Sequence, residues 1–328
     1  MKAVLIREPG GPEVLHVGRA EKPVPGRGKV LVEVKAAGVN RPDLAQRAGR
    51  YPVPADASPI PGLEVAGLVR EAGIAVSGMS PGDRVMALVH GGGYAEFCTV
   101  DHRHVLPIPE GMGFVEAAAF PEVALTVEFN MVMRAGLGRA ESVLIHGGSS
   151  GIGSHAIARA RSLGAVPITT SRGKAKCDYC IEMGAERAID SLQEDWPDAV
   201  METTGGRGVD VVLDMVGGDY TARNLACLAD DGRYALISLQ GGHDVALSLD
   251  PVLRRRLTIT GSTLRPLSPE MKGLIVEKVR RDVLPLLGEG QMHPHIHRTF
   301  DVGDVVDAHR LMESGDHFGK VVLTLQGP

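Results

Sequence analysis

Ser142-Val143-Leu144-Ile145-His146-Gly147-Gly148-Ser149-Ser150-Gly151-Ile152-Gly153 is the stretch from which the rest of the chain can be read. Val143-Leu144-Ile145 is a short apolar run of the kind that forms a buried strand, and it breaks into a glycine-rich turn. An amphipathic helix is expected next. Ile152, Ala156, Ile157, Ala160 and Leu163 recur near helical spacing, Arg159 and Arg161 lie between them, and Gly164 is placed to end the helix. Strand, glycine turn and helix in this order build a phosphate site, because glycines allow close backbone approach and the free N–H groups of the first helical turn point at an anion.

Working outward, the same alternation continues downstream. Strand candidates sit at 142–146, 165–170, 187–190, 209–214, 233–238 and 257–262, with helix-length segments at 152–163, 174–183, 192–204, 219–229 and 245–255 between them. Six strands joined by five crossovers predict an α/β fold, a parallel sheet covered on both faces: the doubly wound Rossmann dinucleotide fold. Upstream, residues 1–120 are β-rich. Met1–Ile6, Val30–Val34, Gly67–Arg70, Arg84–Leu88 and Phe97–Val100 alternate with turn signals such as Gly10-Gly11-Pro12 and Ser80-Pro81-Gly82-Asp83, the patterning of a compact barrel. From Pro52 to Pro61 four prolines in ten positions impose a stiff irregular loop. Beyond Gly261, Ser268-Pro269-Glu270 starts a helix with the apolar stripe Met271, Leu274, Ile275 and Val279. A strand at 295–300, a helix at 302–314 and a strand Lys320–Leu325 follow. This tail lacks a core of its own and is expected to fold back onto the first domain. The expected division is 1–123, 124–264 and 265–328, the outer two making one discontinuous catalytic domain.

Composition narrows the function. With 328 residues, 44% of them apolar and 23% charged, the chain has the make-up of a soluble globular protein of two domains. A net charge of −5 gives no basic face for nucleic acid. The apolar run before Arg7 is only four residues, Ala3–Ile6, too few for a secretory leader, and no run reaches the roughly 18 apolar residues of a membrane span, so a cytoplasmic protein is expected. Cys98, Cys177, Cys180 and Cys227 are too scattered for a disulfide framework, and Cys177-x-x-Cys180 lacks the second pair that a structural zinc shell requires.

Glycines alone do not specify the chemistry. Gly147, Gly151 and Gly153 also match the spacing of short-chain dehydrogenases, but those need a Tyr-x-x-x-Lys pair, and Tyr179, Tyr220 and Tyr234 are followed four residues on by Met183, Asn224 and Ser238. The end of the second strand is more telling. A carboxylate there would accept the ribose hydroxyls of NAD, whereas basic groups accommodate the 2′-phosphate of NADP. Thr169-Thr170-Ser171-Arg172-Gly173-Lys174-Ala175-Lys176 has no acid before Asp178, which favours NADP(H) over a merely solvated helix start.

The chain resembles the zinc-independent quinone oxidoreductases of the medium-chain dehydrogenase/reductase superfamily, and most nearly the p53-inducible quinone oxidoreductase subgroup. The likeness runs through PGGPEVL near the start, AAGVNRPDLAQRAGRYPVP at 36–54, PGLEVAG at 61–67, the 142–153 turn, GVDVVLDMVGG at 208–218 and HFGKVVL at 317–323. It implies a GroES-like fold for the β-rich domain. It also implies a homodimer through the edge of the Rossmann sheet near 257–262, and NADPH-dependent reduction of a quinone. Zinc-dependent members carry a Cys near Asn40, Gly-His-Glu where this chain has Gly62-Leu63-Glu64, and a four-cysteine lobe near residue 100, where only Cys98 stands. No metal is therefore expected. His293, His295 and His297 would alternate on one face of a surface strand, with no supporting ligand spacing.

Without zinc to polarise a carbonyl, the acceptor should already be electron-poor, as a quinone or activated enone is. By resemblance, Asn40 lies by the nicotinamide, and Tyr51 lines the substrate pocket and donates a proton, a role favoured over the alternative of an aromatic simply packed on its neighbouring prolines. Asp43 is expected to fix the loop. The same resemblance carries Thr126 to the nicotinamide ribose, Ser149, Ser150, Gly151 and Ile152 to the pyrophosphate, and Ser171, Arg172 and Lys176 to the 2′-phosphate. Leu239, Gly241 and Leu264, in the stretches Ser238–Gly242 and Thr263–Arg265, would border the nicotinamide. Where the family often has a Tyr at the adenosine phosphate this chain has Ile189-Asp190-Ser191; Ser191 can still hydrogen-bond, but Asp190 is close. Two other functions fit the same residues: an NADPH-dependent enone or enoyl reductase, and a non-enzymatic NADPH-binding sensor.

Overall fold

The computed structural model describes residues 1–325 and divides into two compact units, Met1–Val123 together with the segment from Arg265 onward, and Ala124–Leu264. In the first, β1 (Lys2–Ile6) and β2 (Leu15–Arg19) form an antiparallel pair. β3 (Lys29–Val39) is the long central strand of a second sheet. Asn40 caps the helix that follows it, α1 (Arg41–Arg47), with Pro42 in the first turn and Asp43 completing a capping box. β4 (Glu64–Ala72) lies antiparallel along β3, then β5 (Arg84–Leu88) lies on β4. β6 (Phe97–Asp101) pairs with the first half of β3, and β7 (Val105–Pro107) pairs with β5. Register shifts between Leu31 and Val32 and between Val34 and Ala36 mark bulges that bend β3, so its two halves take different partners on one side. The proline-rich stretch 50–61 forms neither helix nor strand. Two short helices, α2 (Phe114–Ala118) and α3 (Pro121–Val127), come next.

The second unit holds a six-stranded sheet, all parallel: β8 (Ser142–His146), β9 (Val166–Ser171), β10 (Arg187–Asp190), β11 (Val209–Asp214), β12 (Leu228–Leu236) and β13 (Thr258–Gly261), in the order β10-β9-β8-β11-β12-β13. The strand order reverses between β8 and β11, the point at which a doubly wound sheet binds its ligand. The crossovers contain α4 (Gly151–Ser162), α5 (Lys174–Glu182), α6 (Trp196–Thr203), α7 (Tyr220–Cys227) and α8 (Asp250–Arg254). Leu144, Ile168, Ile189, Val209, Val212 and Trp196 pack one of its cores, each nearly inaccessible. Two sequence expectations need correction. The helix expected over 245–255 is only α8, because Leu249 and Leu253 find nothing to pack on and stay 65% and 80% exposed. β12 begins at Leu228 rather than 233, and Asp231 with φ of 61° breaks it before the regular pairing at Arg233–Leu236.

In the tail, Ser268 Oγ accepts from the Met271 amide and starts α9 (Pro269–Asp282), followed by α10 (Leu284–Gly288). β14 (Ile296–Asp301) lies parallel to β15 (Lys320–Thr324), with α11 (Val305–Ser314) between them, and β15 pairs antiparallel with the second half of β3. Phe300, Val305, Ala308, Met312, Val321 and Leu323 share a core with Val4, Leu15, Val32 and Val65. His293 and His295 precede β14, so the three alternating histidines do not line one strand face as expected. No helix among the described residues is long and apolar enough to cross a membrane.

Candidate functional site

The turn after β8 is built to receive an anion. Gly147 has φ of 69°, and a Cβ on Gly153 would stand 2.3 Å from the Gly147 carbonyl oxygen, so the helix can start this close to the strand only with glycine there. Ser150 caps α4 by accepting from the Gly153 amide at 3.0 Å. The amides of Gly148, Ser149 and Ser150 are taken by Thr170 O, Ser171 Oγ and Gly147 O, while those of Gly151 and Ile152 take no part in these bonds. Two amides at the positive end of a twelve-residue helix are donors of the kind a pyrophosphate takes.

At the end of β9 the expected residues separate by role. Ser171 is buried, its Oγ accepting from the Ser149 amide and sitting 3.3 Å from Cys180 Sγ, so it fixes the glycine turn. Arg172 is exposed and forms no ion pair among the described residues. Lys174 is bound to Asp178, and Lys176 lies one turn into α5. Ser191 donates its hydroxyl to Ser171 O at 3.2 Å, joining the two strand ends. Asp190 turns inward: its Oδ1 accepts from the Gly173 and Leu192 amides at 2.8 and 3.0 Å. In the same unit Thr126 accepts at its carbonyl from Asn130, Leu239 and Gly241 form a loop held by the Gly241 amide on Val216 O, and Leu264 is buried.

Asn40 and Tyr51 belong to the first unit. Asn40 is 8% exposed, and its amide is largely committed: Nδ2 donates to Glu64 Oε1 at 2.9 Å and weakly to Gly38 O at 3.5 Å, and Oδ1 accepts from Lys320 Nζ at 2.7 Å. Lys320 also pairs with Glu64 Oε1, and the other Glu64 oxygen accepts from the Glu122 amide at 2.9 Å. Gly38 is required beside this cluster, since a Cβ there would meet Glu64 Oε1 at 2.0 Å. Asp43 locks the loop as expected: it accepts from the Asn40 and Gly62 amides and from Tyr94 Oη at 2.9, 3.0 and 3.1 Å. Burial outweighs these bonds and pushes its carboxyl up to about 6.

Tyr51 is half-buried with its ring 5.3 Å from the Arg265 guanidinium carbon. Desolvation, and then the charge of Glu122, push its hydroxyl up to about 12, so it holds its proton at neutral pH. Glu122 makes no side-chain hydrogen bond among the described residues; loss of solvation and the nearby Glu64 push it up to about 8 against the pull of Lys320 and Lys272. Sequence reasoning missed Glu122 and Lys272, and although Glu64 and Lys320 stand in the stretches PGLEVAG and HFGKVVL it gave them no role, because the four meet only through the fold of β3, β4, α3, α9 and β15. It also missed a buried chain in the Rossmann unit, where His146 bridges Thr170 and Asn224, and Asn224 and Tyr234 both donate to Asp214.

The residues around Asn40 do not suit a zinc ion. An ammonium, Lys320 Nζ, is hydrogen-bonded to the two donors best placed to ligate one, Asn40 Oδ1 and Glu64 Oε1, and Leu63 supplies none. No group of three or more His, Cys, Asp or Glu among the described residues is placed to hold a metal, and Cys98, Cys177, Cys180 and Cys227 are all buried free thiols.

Two family models match: "Alcohol dehydrogenase GroES-like domain" over residues 26–110 and "Zinc-binding dehydrogenase" over 151–279. Among solved structures, a probable oxidoreductase from Mycobacterium abscessus is 31% identical, covering 99% of both chains with a TM-score of 0.85. The chain belongs to the medium-chain dehydrogenase/reductase superfamily. Its parallel Rossmann sheet and GroES-like N-terminal domain are those of this superfamily. The Escherichia coli quinone oxidoreductase complexed with NADPH is 27% identical, covering 99% of this chain and 100% of that one, TM-score 0.89. JamJ enoyl reductase is 25% identical, covering 99% of each, TM-score 0.88. Curated relatives include the phenolphthiocerol synthesis polyketide synthase Pks15/1 of Mycobacterium marinum, 33% identical over 302 residues and 91% of this chain. The chain spans only 14% of that relative's length.

Proposed function

We propose that this chain is an NADPH-dependent reductase of quinones that works by hydride transfer without zinc. NADPH, when bound, supplies the hydride. The amides of Gly151 and Ile152, with Ser149 and Ser150, hold its pyrophosphate. Arg172, Lys176 and Ser191 meet the 2′-phosphate, with Ser171 setting the turn beside them, while Asp190 Oδ1 is engaged by the Gly173 and Leu192 amides. Thr126, Leu239, Gly241 and Leu264 orient the nicotinamide, the role that the family resemblance gives them.

The acceptor oxygen gains negative charge as the quinone takes up the hydride's electron pair, and Tyr51 gives it a proton. A hydroxyl pushed up to about 12 keeps its proton at neutral pH and can donate a hydrogen bond to the oxyanion as it forms. Glu122, proton-bearing below about 8, adds no negative charge beside the Tyr51 hydroxyl at neutral pH and so leaves it the better proton donor. The single observation that carries the zinc-free reading is the Lys320 ammonium bound to Asn40 and Glu64.

A second reading, reduction of an enone or enoyl thioester, is favoured by the likeness to an enoyl reductase and to a segment of polyketide synthases. The same Tyr51 would protonate the enolate. NADPH consumption with a panel of quinones and enones, followed by product analysis, separates the two, because only the second leaves a saturated C–C bond. No turnover with either class, despite tight NADPH binding, would leave the sensor reading in place.

The assembly we infer is a homodimer through β13. This strand is one of the two edges of the six-stranded sheet, β10 being the other, and Ile259 on it is 45% exposed. Four unpaired thiols agree with a cytoplasmic setting.

A further inference from the structure

Arg265 is 6% exposed, yet two of its donors, Nε and Nη2, have no hydrogen-bond partner among the described residues. Its third nitrogen is pinned: Nη1 donates to Gln46 Oε1 at 2.8 Å, and Gln46 is itself held by Nε2 donating to Pro59 O at 3.0 Å. The Tyr51 ring lies beside the guanidinium. A second buried cation, Lys272, is 6% exposed and donates to the Arg265 carbonyl at 2.8 Å. Neither Arg265 nor Lys272 forms an ion pair among the described residues. Asp43 and Glu122 act on Arg265, and Glu122 on Lys272, only from beyond ion-pair contact; burying a charge with no partner in contact is costly, and proteins hold such groups mainly where a ligand supplies the missing sign.

The pattern of bonding specifies the ligand. Nε and Nη2 form the side edge of the guanidinium, two parallel N–H donors that match the two oxygens of one carboxylate. Gln46 occupies the opposite side and fixes the plane, so the fork is already oriented. A single carbonyl oxygen would use this edge less completely, and Lys272 adds a further positive charge that a neutral acceptor would not require.

We propose that Arg265 is the anchor of a carboxylate-binding subsite beside Tyr51, and that the acceptor is a quinone or enone bearing a carboxylate. The assignment of that carboxylate to an acceptor rests on the reductase reading; the subsite itself rests on the side chains alone.

The test uses the full chain. Calorimetry compares benzoate with benzamide, which is uncharged and of the same shape, and needs no turnover; NADPH oxidation compares a naphthoquinone carboxylic acid with its methyl ester. Benzoate is expected to bind and benzamide not. The acid is expected to exceed the ester in kcat/KM, and that ratio should fall by about 100-fold in Arg265→Met, the scale on which removing one partner of a buried charge pair acts. Arg265→Lys should recover little of it, since it restores charge without the fork. If neither quinone is turned over but benzoate binding is still lost in Arg265→Met, the subsite stands and the reductase reading falls. If wild-type protein binds benzoate no better than benzamide, prefers the ester, or prefers an uncharged vicinal dicarbonyl, the carboxylate subsite is wrong, even if Arg265→Met fails to fold. A tenfold or greater loss of NADPH affinity in a folded Arg265→Met protein would also overturn it, by assigning the fork to the cofactor.

Discussion

Lys320 and Glu64 are each almost wholly buried, and each completes the other. Removing one partner leaves an uncompensated charge, which typically costs about 3–5 kcal/mol. Lys320→Met is therefore expected to lower the urea-unfolding free energy by about that much, with Glu64→Gln added in the same chain recovering part of it. A cost below about 1 kcal/mol would show that the pair does not hold the Asn40 cluster together. Glu122 gives a pH test. Its carboxyl is raised to about 8, so it is neutral and proton-bearing below that pH and anionic above it, where its charge makes proton loss from Tyr51 harder. kcat/KM should fall as pH rises through about 8, and Glu122→Gln should flatten that limb; an unchanged limb in the variant would remove Glu122 from the proton path. The roles of these residues were illegible in the sequence, even for Glu64 and Lys320 within PGLEVAG and HFGKVVL, because only tertiary pairing distinguishes a buried ammonium from a surface one. Asn40 and Tyr51 could be singled out by resemblance, but that Asn40 spends most of its amide on Glu64 and Lys320 could not.

Among the elements, the β8 turn and α4 were readable because glycine spacing, the Ser150 cap and the apolar period all point the same way. β10 and β11 run over the expected residues because apolar runs bounded by turns leave few alternatives. Less legible were β2, whose Leu15–Arg19 contains a glycine and little apolar alternation, and α1, which is held by the Asn40–Asp43 box rather than by a hydrophobic stripe. α8 is short for the converse reason, since an apolar sequence pattern is no helix signal where nothing covers it. The β8–α4 junction carries its own prediction. Gly153→Ala puts a methyl against two backbone carbonyls, those of Gly147 and Gly148 at 2.3 and 2.5 Å, which cannot swing aside as a side chain would. NADPH affinity should drop at least about tenfold and stability by about 1–3 kcal/mol, read by fluorescence titration and urea unfolding. Unchanged affinity would mean that this turn is not the pyrophosphate site.

For the whole molecule, one unit carries a dinucleotide cradle and the other a proton-bearing tyrosine within a buried charge network, the division of labour that the proposed hydride transfer requires. Assembly through the β13 edge predicts that Ile259→Lys shifts the chain from dimer to monomer in sedimentation velocity; a wild-type monomer would contradict it. Catalysis is tested most directly by NADPH-dependent quinone reduction after exhaustive treatment with a zinc chelator, wild type beside Tyr51→Phe. Full activity in the stripped wild-type protein, and a loss of about 100-fold or more in Tyr51→Phe with NADPH binding intact, is the predicted result. Activity that disappears with the chelator and returns with zinc would contradict the account.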